Sequence, residues 1–268
     1  MFAPYLLHAW LAASFVALAA GAAGYIVVLR RASFAAHALP MAAFPGAALA
    51  RLLSVAAPPL VLGFALVSAL MLALARRRGR SGPATALLLA GLMALGALFL
   101  SLSGGYAGAV YALLFGQVLG AGPSAVLPAI VLGLAVPVLL LIGLRPLTLT
   151  ALSEDLAAAR GLSAFWMDVF ALAVLALAAT AALPLTGALL SFSLMTGPAA
   201  AARLLVTRPL AAFALSMALA LGVTWAALAL AFVTNAPVGF FVGVLCAGVY
   251  VAARAAQAAQ TPSSSTMA

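Results

Sequence analysis

Few residues in this 268-residue chain could take part in chemistry. There are three carboxylates, Glu154, Asp155 and Asp168, two histidines, His8 and His37, one cysteine, Cys246, and twelve basic residues, all of them arginine. A phosphate-binding loop needs a lysine to reach the terminal phosphates, so a chain without lysine cannot be an ATPase of that kind. Two of the carboxylates share one short polar stretch, Ser153 to Gly161, and the two histidines have too few partners to build a hydrolytic triad or a zinc-protease site. The chemistry-bearing residues therefore point away from an enzyme. Cys246 stands alone in an apolar run, which excludes an intrachain disulfide and suits a small buried side chain.

The elements that hold these residues must be membrane spans. Hydrophobic residues make up 68% of the chain and charged residues 6%, whereas a soluble domain is nearer half apolar and a quarter charged. Crossing a ~30 Å hydrocarbon core takes roughly 20 apolar residues. On that measure the sequence predicts an all-α polytopic membrane protein with nine spans, near 5 to 29, 33 to 53, 57 to 75, 84 to 103, 125 to 144, 165 to 183, 185 to 205, 210 to 231 and 237 to 253. The first run is expected to be a retained span, because a secretory signal carries its positive charge ahead of the apolar region and here Arg30 and Arg31 follow it. The net charge of +9 falls at the ends of apolar runs, which is an orientation signal and not a nucleic-acid surface.

Parity settles the one ambiguous segment. Arg76 to Arg80, Arg145 and Arg160 should all be cytoplasmic, so an even number of crossings separates them. Two spans fit if Tyr106 to Leu119 lies along the outer face. The N-terminus is then outside, the C-terminus is cytoplasmic, and Arg51 is the single arginine left outside. Residues 1–256 form one transmembrane domain, and the polar stretch 257–268 is expected to be a disordered cytoplasmic tail. Between Pro184 and Pro198 the spans carry their densest set of helix breakers, including Gly187. Broken backbone in lipid is tolerated only where neighbours or a cavity satisfy the freed groups, so Gly187 and Pro198 mark either ordinary irregularity or the lining of a path.

The polar stretch reads Glu154-Asp155-Leu156-Ala157, three residues, then Gly161, after Arg145-Pro146-Leu147. This pattern resembles the acidic-x-Ala-x-x-x-Gly coupling motif of ABC-transporter permeases, and among them the chain is most similar to the zinc, manganese and iron uptake family. The resemblance covers nearly the whole chain. It includes Arg30-Arg31-Ala32-Ser33-Phe34, Gly46 after Pro45, Leu114-Phe115-Gly116, Gly187 to Leu190, Pro198-Ala199-Ala200 with Arg203, and Pro237-Val238-Gly239.

The resemblance implies a vitamin-B12-importer-like (type II) ABC permease fold. It further implies a dimer of two permease copies, an ABC ATPase below that binds ATP and magnesium, and an extracytoplasmic metal-binding protein above, in a bacterial inner membrane. A coupling helix near 153–162, with Glu154, Asp155, Ala157 and Gly161, would seat in the ATPase. The chain itself would bind no cofactor, and its cargo would be a divalent transition metal, zinc before others.

One departure bears on cargo. Family members carrying zinc or manganese typically show Asp and, four residues later, His in the second span, where this chain has His37 and Met41. The two lie about 6 Å apart along one helical face and could share a ligand with the second copy. Imidazole suits zinc, copper, iron or nickel, a thioether favours Cu(I), and the hard carboxylate is missing. A permease for a metal chelate or cobalamin, and a secondary transporter acting without an ATPase, are the alternatives. The latter would want intramembrane carboxylates, and only Asp168, at the end of its span, comes near.

Overall fold

The computed structural model describes residues 4–77, 81–103, 116 and 123–260. Among the described residues the chain forms helices only: α1 (Pro4–Leu29), α2 (Ser33–Leu53), α3 (Ala57–Arg77), α4 (Ser81–Leu102), α5 (Pro123–Leu152), α6 (Glu154–Ala159), α7 (Ala164–Leu205), α8 (Pro209–Thr234) and α9 (Val238–Gln260). The segment Tyr106 to Leu119, expected to lie along the outer face, falls outside the described residues apart from Gly116, as do Arg78, Arg80, Leu114 and Phe115.

A 42-residue helix such as α7 would be ~63 Å long if straight, about twice the hydrocarbon thickness. It is not straight. Gly187 takes φ 72° and ψ 167°, outside the helical region, and the chain turns back there. Near its start Asp168 pairs with Arg30, at the end of α1. Near its finish the Arg203 guanidinium lies 5.9 Å from the ring of Tyr25, also toward the end of α1. Both ends of α7 thus return to the same end of the bundle, and its two arms, Ala164–Pro184 and Thr186–Leu205, are each long and apolar enough to cross a membrane. Eight such segments occur among the described residues. The remaining expected span is α4, 22 residues long, with its apolar run at Ala86–Leu102.

Two expected boundaries shift. The span ending near residue 144 continues as α5 to Leu152, straight through Arg145 and Pro146. Pro146 removes the donor to the Ile142 carbonyl and the helix continues past it, with Thr148 donating to the Leu144 oxygen at 2.6 Å and Thr150 to the Pro146 oxygen at 3.0 Å. The other is at residue 257, where the tail is expected to start: α9 runs past it to Gln260, and residues 261–268 lie outside the described residues.

Small residues bring the helices together, as expected where lipid removes the usual hydrophobic drive. α1 packs against α5, α7 and α8, while α2 packs against α3, α4 and α7. A Cβ at Gly24 would sit 1.7 Å from the Met195 carbonyl oxygen, so α1 and the second arm of α7 are in backbone contact. Ser216 of α8 donates to the Gly21 carbonyl at 2.6 Å and Trp225 Nε1 to the Ser14 hydroxyl at 2.9 Å, two polar ties across the α1–α8 interface.

Candidate functional site

The polar stretch folds as a six-residue helix, α6, closed at both ends. Ser153 is extended, and its Oγ accepts a hydrogen bond from the Leu156 N–H at 3.3 Å. That contact satisfies one of the N–H groups a helix start leaves without a partner. Glu154 and Asp155 follow in the first turn, where carboxylates face the positive end of the helix dipole. At the other end the Gly161 N–H donates to the Ala158 oxygen and the Leu162 N–H to the Ala157 oxygen, both at 2.9 Å. This pair of bonds is the Schellman closure, which needs a left-handed residue after the helix. Gly161 supplies it with φ 75°, and a Cβ there would meet nothing within 4 Å, so conformation and not space requires glycine.

The residues predicted for coupling therefore divide into two roles. Ala157 is fully buried and, with Gly161, builds and seats the helix against its neighbours α5 and α7. Glu154 and Asp155 are exposed, beside Leu156 at 61% and Arg160. Together they make a protruding face of mixed acidic, apolar and basic character.

The second set of predicted residues lies on α2. From Ala35 to Ala48 every residue of that helix is buried except His37, which is half-open. Met41, one turn on, is buried at 6%. The imidazole meets the Phe192 ring edge-on at 5.3 Å, and among the described residues nothing hydrogen-bonds to it. Pro40 and Pro45 lie inside α2. Having no N–H, they leave the carbonyls of Ala36 and Met41 without their usual donors, so oxygen acceptors are released on the same stretch as His37.

Phe192 ties this helix to the predicted break, since it lies five residues beyond Gly187 in the second arm of α7. Around the break, side-chain hydroxyls bond to local carbonyls. Ser191 donates to the Gly187 oxygen at 2.5 Å, Thr186 to the Ala182 oxygen at 3.0 Å, and the two hydroxyls lie 2.9 Å apart. Pro198 is buried lower in the same arm. The structure thus brings His37, Met41 and the arm starting at Gly187 side by side, and keeps α6 apart from them at one end of the bundle. Among the described residues no group of three or more His, Cys, Asp or Glu gathers to hold a metal.

Residues 3–257 match the ABC 3 transport family. The chain belongs to that family. PsaBC from Streptococcus pneumoniae, solved in complex with a Fab, is similar in structure, with a TM-score of 0.85, 23% identity, and coverage of 94% of this chain and 91% of that one. An ABC transporter assigned to the metal-chelate type, in an inward-facing conformation, gives a TM-score of 0.64 at 17% identity over 95% of this chain and 86% of that one. No curated protein matches the sequence. The fold is that of type II ABC permeases, as the sequence resemblance implied.

Beside α6, this ABC 3 chain also gathers a charged cluster that the sequence did not reveal. Arg30 reaches from the end of α1 to the Asp168 carboxylate in α7, to the Thr150 hydroxyl of α5 at 2.8 Å and to the Leu147 carbonyl at 3.4 Å. Arg76, at the end of α3, approaches the other Asp168 oxygen at 3.9 Å. The Arg30 side chain is only 8% exposed. The available signal was a carboxylate at a span end in a chain with only three, which demands a basic partner once desolvated.

Proposed function

We propose that this chain is the permease subunit of an ATP-driven importer for a divalent transition metal ion, zinc before others. The observation that carries the reading is α6: a short helix closed by its own caps, seated through Ala157, with its acidic and apolar face turned outward. Such a face fits a groove on a soluble partner, and the family supplies the partner's nature, an ABC ATPase holding ATP and magnesium. The arginine-rich end of the bundle that carries α6 then faces the cytoplasm. The opposite face receives an extracytoplasmic metal-binding protein, and a second copy of the chain completes the path in a bacterial inner membrane.

The cargo part of the reading rests on α2. His37 is a half-open imidazole in an otherwise buried run, Met41 follows on the same face, and the carbonyls released by Pro40 and Pro45 offer oxygen where the family's carboxylate is missing. Two side-chain donors per chain make a weak site, and weak sites suit passage, because an ion must leave as readily as it enters. Imidazole with oxygen donors fits zinc better than a purely hard manganese site would.

The test is uptake by the permease reconstituted with its ATPase. Asp155→Arg reverses charge on the docking face, and Gly161→Trp places a bulky residue at a left-handed position. Each variant is expected to insert normally and to abolish ATP-coupled zinc uptake. Normal uptake by both would overturn the coupling role of α6.

A further inference from the structure

The charged cluster beside α6 occupies an unusual place in the connectivity. Thr150 lies in the last turn of α5, three residues before the Ser153 cap of α6. Asp168 lies in the second turn of α7, seven residues after Gly161. The two helices between which α6 is suspended therefore each present a side chain to the same guanidinium, that of Arg30. Arg30 itself sits in the α1–α2 turn, where Arg31 adopts φ 51°, a left-handed conformation costly for a residue with a Cβ. His37 follows seven residues later on α2.

We infer that Arg30 and Asp168 are positioning residues that transmit movement of α6 to the α1–α2 turn and so to α2. The inference deepens the transport reading above and rests on it for the meaning of that movement.

Three observations carry it. The Arg30 side chain is more than nine-tenths buried, and its Nε has no hydrogen-bond partner. A well-packed apolar pair would hold helices together as firmly as a buried ion pair, so the charges need a further explanation. Asp168 is also shared by two partners at once, its Oδ1 with Arg30 of the α1–α2 turn and its Oδ2, at 3.9 Å, with Arg76 of α3. A carboxylate that bridges two guanidiniums can tighten on one as it loosens on the other, so a displacement of α7 reaches both the α1–α2 turn and α3. Finally, a narrow cavity lined by Ala23, Val27, Arg30, Arg76, Leu140 and Ala171 adjoins the pair. It has room for about one water molecule, so packing against the guanidiniums is incomplete on that side.

The experiment uses the full chain assembled with its ATPase in proteoliposomes. A spin label is placed at Arg31→Cys in a Cys246→Ala background, and zinc uptake and ATP hydrolysis are measured on the unlabelled complex. In the parent, trapping the ATP-bound state should change the label's mobility. In Asp168→Asn that response should vanish, and zinc moved per ATP hydrolysed should fall about tenfold, within the range typical of a coupling free energy between sites, while hydrolysis continues. Asp168→Glu should restore both.

Because Asp168→Asn strands a buried guanidinium, the double variant Arg30→Met/Asp168→Asn is made alongside it. A double variant that inserts and assembles but still lacks the response supports the proposal. A parent-like label response, or an unchanged ratio of zinc to ATP, in either variant overturns it, and so does loss of inserted protein in both, which would make the pair a scaffold. A parent complex that moves no zinc defeats the cargo reading alone, since the label response to ATP still decides the role of Arg30 and Asp168.

Discussion

The two ends of the proposed machinery are built on opposite principles. At α6, regular structure is closed off locally: a serine cap, two first-turn carboxylates and a glycine closure make a rigid helix from a handful of consecutive residues. Along α2 and the second arm of α7, regular structure is interrupted, with Pro40, Pro45, Gly187 and Pro198 inside the helices and hydroxyls on either side of Gly187 bonded to backbone carbonyls. The contrast teaches where each kind of backbone belongs. A docking element must keep its shape when pushed, and a path must offer polar groups inside a medium that supplies none.

Breaking the path should have the larger effect on cargo. His37→Ala removes the one half-open side chain in the buried run of α2, and zinc uptake is expected to fall about tenfold, the loss of a single liganding interaction of roughly 1.4 kcal/mol. Measuring zinc, manganese, iron and copper in parallel tests the idea, and unchanged uptake of all four would remove His37 from the path. A smaller effect is expected at the docking end. Gly161→Ala introduces about 1–2 kcal/mol of left-handed strain with no clash, so uptake should drop several-fold, whereas Gly161→Asn, better tolerated in that conformation, should retain most of it. A greater loss in Gly161→Asn than in Gly161→Ala would mean that space governs the position.

The smallest effect separates packing from passage within the broken arm. Ser191→Ala deletes the hydroxyl that bonds the Gly187 carbonyl; hydrogen bonds of this kind inside membranes are worth about 0.6 kcal/mol, a shift of about 2 °C in the melting midpoint. A small stability loss with unchanged metal preference is the expected result. A changed ratio of zinc to manganese uptake would instead place the Ser191 hydroxyl among the groups that meet the ion.

Much of α6 is legible in the sequence because its determinants are neighbours in the chain. Ser153, the two carboxylates and Gly161 spell a helix start and stop within nine residues. The path is legible there only as a set of suspects. His37 and Met41 stand out as polar or soft residues on a helix, and Gly187 as a breaker, but nothing in their spacing shows that His37 alone is open or that Phe192 brings the two segments together. The end of α5 escapes a reading of the sequence because Pro146 looks like a stop, whereas Leu147 and Thr150, buried in the bundle, lie on a helix that runs on to Leu152.

Taken by itself, the sequence determined that the chain lives in a membrane, how many apolar segments it has, and that one polar helix punctuates them. These follow from hydrophobicity and capping, which act over one span or one turn. Tertiary structure decided the return of α7 at Gly187, the half-open setting of His37, and the meeting of Arg30 with Asp168, 138 residues away, and with Thr150, 120 residues away. The physical reason lies in the spans themselves. A helix apolar on every side carries no stripe to say which face turns inward, so its rotation is set only when the small residues of its neighbours let the backbones close.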